Sequence, residues 1–176
     1  MEHQKASALG AGFLMQYDKS MKVIAIDPGY DRLGVAVMSY DGQKETLIYS
    51  GCIETNKLDH LSDRLHVIGQ AFDELLNKYA PDFLGIETLF FNKNIKTGLG
   101  VAQTRGVIMY LATKAQMKII ELGPQEIKIA VTGYGKSDKA AIIDMVKKLI
   151  TTAPEKALDD EYDAIAIGIA ALAHNR

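Results

Sequence analysis

The stretch Lys22-Val-Ile-Ala-Ile-Asp27-Pro28-Gly29 decides how this chain is expected to begin its fold. It is short and apolar and it ends in a proline–glycine pair, which is typical of a buried β-strand. A second strand is predicted over residues 33–40. The turn Asp41-Gly42 then predicts a hairpin into a third strand over residues 46–54. Three consecutive strands indicate an antiparallel half-sheet at the start of the folded chain.

Helices and strands alternate in the rest of the chain. Apolar residues recur at helical spacing over residues 58–79, and residues 83–87 have the composition of a fourth strand. The remaining predictions are a helix from about 97 to 116, a strand over 118–122, helices over 124–131 and 138–150, and a last helix over 159–174. This order predicts an α/β fold, in which a mixed sheet of three antiparallel strands followed by parallel strands carries helices on both faces.

Length and composition indicate one globular domain. The 176 residues carry a net charge of −2, with 48% apolar and 24% charged residues, which excludes disordered and collagen-like classes. Cys52 is the only cysteine, so an intrachain disulfide is excluded and a reducing compartment is favoured. No apolar run approaches the ~20 residues of a membrane span, so no membrane partner is expected. We expect residues 1–20 to be an N-terminal extension, disordered or left from cloning, and residues 21–176 to be the folded domain.

The charge is unevenly distributed along the chain. Residues 92–139 contain eight lysines or arginines and three acidic residues, whereas residues 151–176 contain five acidic and two basic ones. A basic middle beside an acidic end suits a groove for a polyanion that contains a metal site. Two ordinary solvated faces would explain the same distribution.

Four carboxylates are the candidate catalytic groups. Asp27 and Glu87 end predicted apolar strands, and the carboxyl ends of strands in such sheets form the usual ligand crevice. Asp160 and Asp163 lie three apart, hence on one face of the last helix, although Asp159 is also one turn from Asp163 and is an alternative to Asp160. Converging carboxylates repel one another unless divalent cations bind, and Mg²⁺ prefers oxygen ligands. A pair of such ions can hydrolyse a phosphodiester. Each acid could instead be a helix cap or a surface residue.

An ordered set of motifs extends this hypothesis to a known family. The motifs are Ile26-Asp27-Pro28-Gly29 with Gly34, Gly51-Cys52-Ile53, the helix around residues 61–76, Pro81-Asp82-Phe83, Ile86-Glu87, Phe90, Lys93-Asn94, residues 102–107 (AQTRGV), Gln125, Lys128, Val131, Gly133 and Gly135 with Lys139, and Asp160 with residues 163–167 (DAIAI). Together they cover residues 21–174. The set resembles the RuvC family of Holliday-junction resolvases, which have the ribonuclease H-like fold.

The resemblance implies a homodimeric endonuclease that nicks two opposing strands of a four-way DNA junction during recombination and repair. Asp27, Glu87, Asp160 and Asp163 match the catalytic, metal-binding acids of the family. Two Mg²⁺ ions per site are implied, with Mn²⁺ able to substitute. The implied location is the bacterial cytoplasm or the cytoplasm of a phage-infected host, and a branch-migration motor as partner stays open.

The resemblance also implies residues that contact DNA. Phe90 matches an aromatic position that stacks on bases at the opened junction, although a core phenylalanine is the alternative. Lys128 and Lys139 match basic residues beside the scissile phosphate, although a surface lysine is the alternative for either. Lys93 and Arg105 are further DNA-binding candidates, for which a salt bridge or a backbone anchor is an equal explanation. Tyr110 is expected to fill the core.

Other functional classes remain as alternatives. A branched-DNA-binding module that lacks catalysis would share the fold, and so would a nucleotide-binding protein of the actin-like superfamily. Actin-like proteins need two lobes, and this chain has only one Asp-x-Gly sequence after a predicted strand. Residues 130–137 (AVTGYGKS) are a near miss to a phosphate-binding P-loop, because alanine stands where the loop needs glycine.

Overall fold

A computed structural model describes residues 20–89 and 95–176 of the protein, and the side chains of residues 95–97 are outside the description. Its elements, in chain order, are β1 (Met21–Asp27), β2 (Arg32–Tyr40), β3 (Glu45–Glu54), α1 (Leu61–Tyr79), β4 (Phe83–Glu87), α2 (Ile95–Lys114), β5 (Lys118–Leu122), α3 (Pro124–Thr132), α4 (Lys139–Leu149) and α5 (Asp159–His174). All ten predicted elements are present, with ends that differ from prediction by at most three residues. Apart from Ser20, the predicted N-terminal extension lies outside the described residues.

One five-stranded sheet has the order β3-β2-β1-β4-β5. Strands β1, β2 and β3 pair antiparallel, whereas β4 pairs parallel with both β1 and β5. The predicted mixed sheet is therefore confirmed, and β1 is the strand at which its two halves join. Residues 23–26 of β1 are fully buried, because helices cover both faces of the sheet there.

The alternation of side chains along the strands divides the core in two. Val23 and Ala25 of β1 face a core built mainly on α5, and Ile24 and Ile26 face the core under α1 and α2. Successive residues of a strand point to opposite faces, so Asp27 shares the face of Ala25. The end of β1 therefore directs its carboxylate to the side of the sheet that α5 covers.

Helix α5 lies unusually close to the sheet. A Cβ atom at Gly168 of α5 would lie 2.6 Å from Sδ of Met38 on β2. At the other end of the contact, a Cβ atom at Gly34 of β2 would lie 1.9 Å from the backbone oxygen of Asp160. Glycine at these two positions lets the first turn of α5 rest directly on β2.

Two details differ from the sequence prediction. Helix α1 begins at Leu61 rather than at residue 58, because Asn56 and Asp59 form a hydrogen-bonded turn before it. Tyr110 was expected in the core, and this prediction is wrong: its side chain is 67% exposed on α2. It lies instead at a groove between α1 and α2.

Within the described part of the chain, no helix has the length and apolar character needed to cross a membrane.

Candidate active site

Two of the predicted acids end neighbouring strands. Asp27 is the last residue of β1 and Glu87 is the last residue of β4. These strands are parallel and Ile26 is paired with Ile86, so the two acids follow side by side at the same edge of the sheet. Both share the face of Ala25 and Gly85, which is the face under α5.

The N-terminal part of α5 supplies the other two acids. Asp27 pairs with Gly34 across β1 and β2, and the backbone of Asp160 lies directly over Gly34. Asp163 follows one helical turn later. The sheet edge and the start of α5 thus bring together the four acids that the sequence singled out, and they come from three separate elements.

The charges of these acids act on one another. Burial, followed by the charges of Asp163, Glu87 and Asp160, raises the pKa of Asp27 from 3.8 to about 7, and the charge of Lys139 opposes the shift. Burial and the charge of Asp163 likewise raise the pKa of Glu87. Burial also raises the pKa of Asp163, against the hydrogen bond and charge of Lys139. Perturbation by both burial and specific neighbours marks a candidate functional site.

The choice between Asp159 and Asp160 can be examined from these contacts. The side chain of Asp159 is 66% exposed and lies 3.2 Å from Nζ of Lys139. The side chain of Asp160 is only 27% exposed, and Asp160 rather than Asp159 contributes to the raised pKa of Asp27. The geometry therefore favours Asp160 as the acid that faces the cluster.

Two predicted lysines lie beside the acids. Asp138 caps α4 by accepting a hydrogen bond from the backbone N–H of Ala141, so Lys139 becomes the first residue of that helix. Its Nζ donates to Oδ2 of Asp163 at 3.0 Å. Lys128 of α3 lines a pocket of about 140 Å³ together with Glu87 and Asp163. Both lysines thus provide positive charge at the acidic edge.

The other predicted DNA contacts are Phe90, Lys93 and Arg105. Phe90 and Lys93 fall outside the described residues. Arg105 is buried on α2 and its guanidinium pairs with Glu121 of β5. This contact corresponds to the salt-bridge alternative for Arg105, and it joins α2 to β5.

Sequence analysis missed Arg32. Its Nη2 lies 2.7 Å from Oδ2 of Asp160. The signal was present in the strand period, because Arg32 and Gly34 are two residues apart on β2 and point to the same face. Their relation to the first turn of α5 required the packing of the helix.

The acids fit a divalent cation by their chemistry. Across residues 20–89 and 95–176, no three acidic, histidine or cysteine side chains are placed as a ready-made metal cage. Burial and the charges of neighbouring carboxylates nevertheless raise the pKa values of Asp27 and Glu87, and the charge contribution reflects an excess of negative charge that a divalent cation would relieve. An all-oxygen donor set is also the set that Mg²⁺ and Mn²⁺ prefer.

The raised pKa of Asp27 predicts a pH-dependent stability. The carboxyl binds a proton more tightly in the folded protein, so its stabilising contribution is complete below about pH 4 and is lost as the pH rises through about 7. Asp27→Asn cannot ionise. Without metal, we expect this variant to match the parent near about pH 4 and to be about 2–4 kcal/mol more stable at about pH 8. Urea unfolding in EDTA across this pH range measures the difference. If the unfolding free energies of the two proteins changed with pH in parallel, the raised pKa of Asp27 would be contradicted.

Comparisons with known proteins identify the family of this chain. A family model described as "Crossover junction endodeoxyribonuclease RuvC" matches residues 23–172. The chain is 42% identical over 147 residues to a protein of that name from Thermosipho melanesiensis, covering 84% of this chain and 94% of the relative. It is 40% identical over 149 residues to the one from Ruminiclostridium cellulolyticum, covering 85% and 90%.

A solved structure shows the same fold. Thermus thermophilus RuvC in complex with a Holliday junction substrate superposes with a TM-score of 0.83 at 25% identity, covering 89% of this chain and 95% of that one. The residues that the family model matches, 23–172, include all four acids. This protein therefore belongs to the RuvC family, and its fold is ribonuclease H-like.

Proposed function

We propose that this protein resolves four-way DNA junctions as a crossover junction endodeoxyribonuclease, acting through residues 21–176 in the bacterial cytoplasm. The observation that carries the proposal is the convergence of Asp27, Glu87, Asp160 and Asp163 at one end of the sheet. Burial and the charges of the other three acids raise the pKa of Asp27 to about 7. The names of the relatives and the junction complex of the Thermus protein support the choice of substrate. The reaction class is the hydrolysis of phosphodiester bonds.

The four acids would hold the metal that this reaction needs. We assign them two Mg²⁺ ions per site, with Mn²⁺ able to replace them, because all the donors are carboxylate oxygens. Bound ions of this kind lower the pKa of water and stabilise the charge that develops on a phosphate. At neutral pH Asp27 is near its own pKa, so loss of its proton is coupled to occupation of the site.

The lysines have a separate task in this proposal. DNA brings a phosphate, which is negatively charged, to an edge that already holds four carboxylates. Lys139 at the start of α4 and Lys128 on α3 lie beside those carboxylates and offset their repulsion of the phosphate. Lys139 also restrains Asp163, so the lysine acts both on DNA and on the orientation of an acid.

We further propose a homodimer in which α2 lies near the interface. Two cuts in a junction that has near two-fold symmetry need two active sites. Helices α1 and α2 border a groove of about 730 Å³ that includes Leu65, Val107 and Tyr110. Val67 and Leu99 are also exposed on these helices, so apolar surface is available to a second copy of the chain.

The dimer proposal predicts that Tyr110→Glu yields a monomer. A buried carboxylate in an apolar interface is costly, and we expect the dimer to weaken at least about 100-fold. Sedimentation equilibrium without DNA measures the change. Tyr134→Glu is the matched control, because Tyr134 is similarly exposed on the turn between α3 and α4. A monomeric parent, or a Tyr110→Glu dimer as tight as the parent, would contradict the proposal.

The experiment that tests the function compares an immobile four-way junction with a linear duplex of matched sequence. Both are end-labelled and incubated with the protein in Mg²⁺ or in EDTA. Paired nicks near the branch point that need metal and are absent from the duplex are the expected result. Equal cutting of the duplex would contradict the proposed selectivity for junctions. Binding without cleavage in Mg²⁺ and in Mn²⁺ would replace the proposal by the non-catalytic module.

A further inference from the structure

Arg32 approaches the acidic cluster from the sheet. It is the first residue of β2 and shares a strand face with Gly34, over which the first turn of α5 rests. Its guanidinium reaches Oδ2 of Asp160 at 2.7 Å. Lys139 reaches Asp163 from α4 on the other side of the helix start. The two acids of α5 are thus each paired with a cation from a different element.

The oxygen that Arg32 approaches is enclosed. Oδ2 of Asp160 is buried and accepts no aligned hydrogen bond within the described structure, so the ion pair with Arg32 is its compensating interaction. The backbone of Asp160 packs closely against Gly34, which limits how far that backbone can move. Without a partner for Oδ2, the carboxylate is expected to turn away from this orientation, since a buried unpaired charge is costly.

We propose that Arg32 is a positioning residue, which holds the Asp160 carboxylate in the orientation that a divalent cation requires. This inference rests on the proposed metal-dependent function, because it assigns Asp160 to the metal site. Arg32 acts on the cation through Asp160 and donates no ligand of its own. Outer partners of ligating carboxylates commonly fix ligand orientation in this way.

The main competing expectation is that Arg32 weakens metal binding, because it is itself a cation and repels a metal ion. Its side chain is 44% exposed, so solvent screens much of that repulsion. The Oδ2 atom that it holds is buried, where screening is weak. The contribution of Arg32 to the orientation of Asp160 therefore outweighs its repulsion of the metal ion, and removal of Arg32 should weaken metal binding.

The test measures Mn²⁺ affinity by titration calorimetry on metal-free protein, for the parent, Arg32→Gln and Arg32→Lys. We expect about 10–100-fold weaker binding for Arg32→Gln and substantial recovery for Arg32→Lys, which restores the charge. Arg176→Gln is the matched control. That arginine pairs with Glu45 near the far end of β2 and is similarly exposed, so its loss should leave Mn²⁺ affinity unchanged. Junction affinity in EDTA is measured alongside and should be the same for Arg32→Gln and parent.

Four outcomes would overturn the inference. Tighter Mn²⁺ binding by Arg32→Gln would make Arg32 a competitor of the cation. Unchanged Mn²⁺ binding with weaker junction binding in EDTA would make it a DNA contact, and unchanged Mn²⁺ binding with a lower Tm would make it purely structural. A parent protein that binds no Mn²⁺ would overturn both this inference and the proposed metal site. Junction cleavage by the parent, measured separately, distinguishes failure of the function from failure of the role of Arg32.

Discussion

Asp27→Asn is expected to abolish cleavage of a four-way junction and to preserve binding of that junction. Asp27 lies at the centre of the cluster: burial and the charges of all three other acids raise its pKa. Asparagine has nearly the same shape but lacks the charge that holds a divalent cation. Metal ions supply several kcal/mol of transition-state stabilisation in such reactions, so a rate loss of about 10³-fold or more is expected.

Binding should persist because Asp27 is not a DNA anchor. Its replacement removes one negative charge from an edge that must accept phosphates, so junction affinity should stay equal or rise slightly. Single-turnover cleavage in Mg²⁺ and binding in EDTA measure the two effects. Asp144→Asn is the matched control: it makes the same chemical change on the exposed side of α4 and should cut like the parent. Equal cutting by Asp27→Asn would remove Asp27 from the metal site.

Sequence analysis predicted the fold well where local pattern and packing agree. Residues 22–27 are apolar and bounded by a Pro-Gly pair, and β1 is the central strand, buried on both faces. The spacing of Asp160 and Asp163 on a helix was also correct, because it depends only on helical geometry. Asp27 and Glu87 were also predicted at strand ends, whereas the structure was needed to show that these two strands are neighbours.

Predictions about individual side chains were less complete, because their partners come from distant parts of the chain. Arg105 has the same charge whether it binds DNA or a carboxylate, and only the packing of α2 on β5 shows Glu121 beside it. Tyr110 is as apolar as a core residue, yet it is turned to the α1–α2 groove. Arg32 lies beside Asp160 only because α5 packs against Gly34. In each case the environment of the side chain depends on how separate parts of the chain pack together.

Gly34→Ala is expected to disrupt the site as severely as any change that leaves the acids in place. An added Cβ would lie 1.9 Å from the backbone oxygen of Asp160, and backbone cannot turn aside as a flexible side chain can. The first turn of α5 must therefore move away from β2. Overpacking of this kind costs about 1–3 kcal/mol of unfolding free energy. A displacement near 1 Å at catalytic groups costs about 100-fold in rate, so we expect cleavage to fall by at least that factor.

Gly85→Ala separates the loss of stability from the loss of site geometry. Gly85 lies on β4 beneath the later part of α5, where an added Cβ would come within 2.7 Å of Cβ of Ala171. It crowds the same helix about three turns beyond Asp160, so it should lower the free energy of unfolding comparably while reducing cleavage much less. Urea unfolding and single-turnover cleavage of both variants give the comparison. If Gly34→Ala cuts junctions at the parental rate, the reaction does not depend on the position of the first turn of α5. The contact of Asp160 with β2 would then serve only packing.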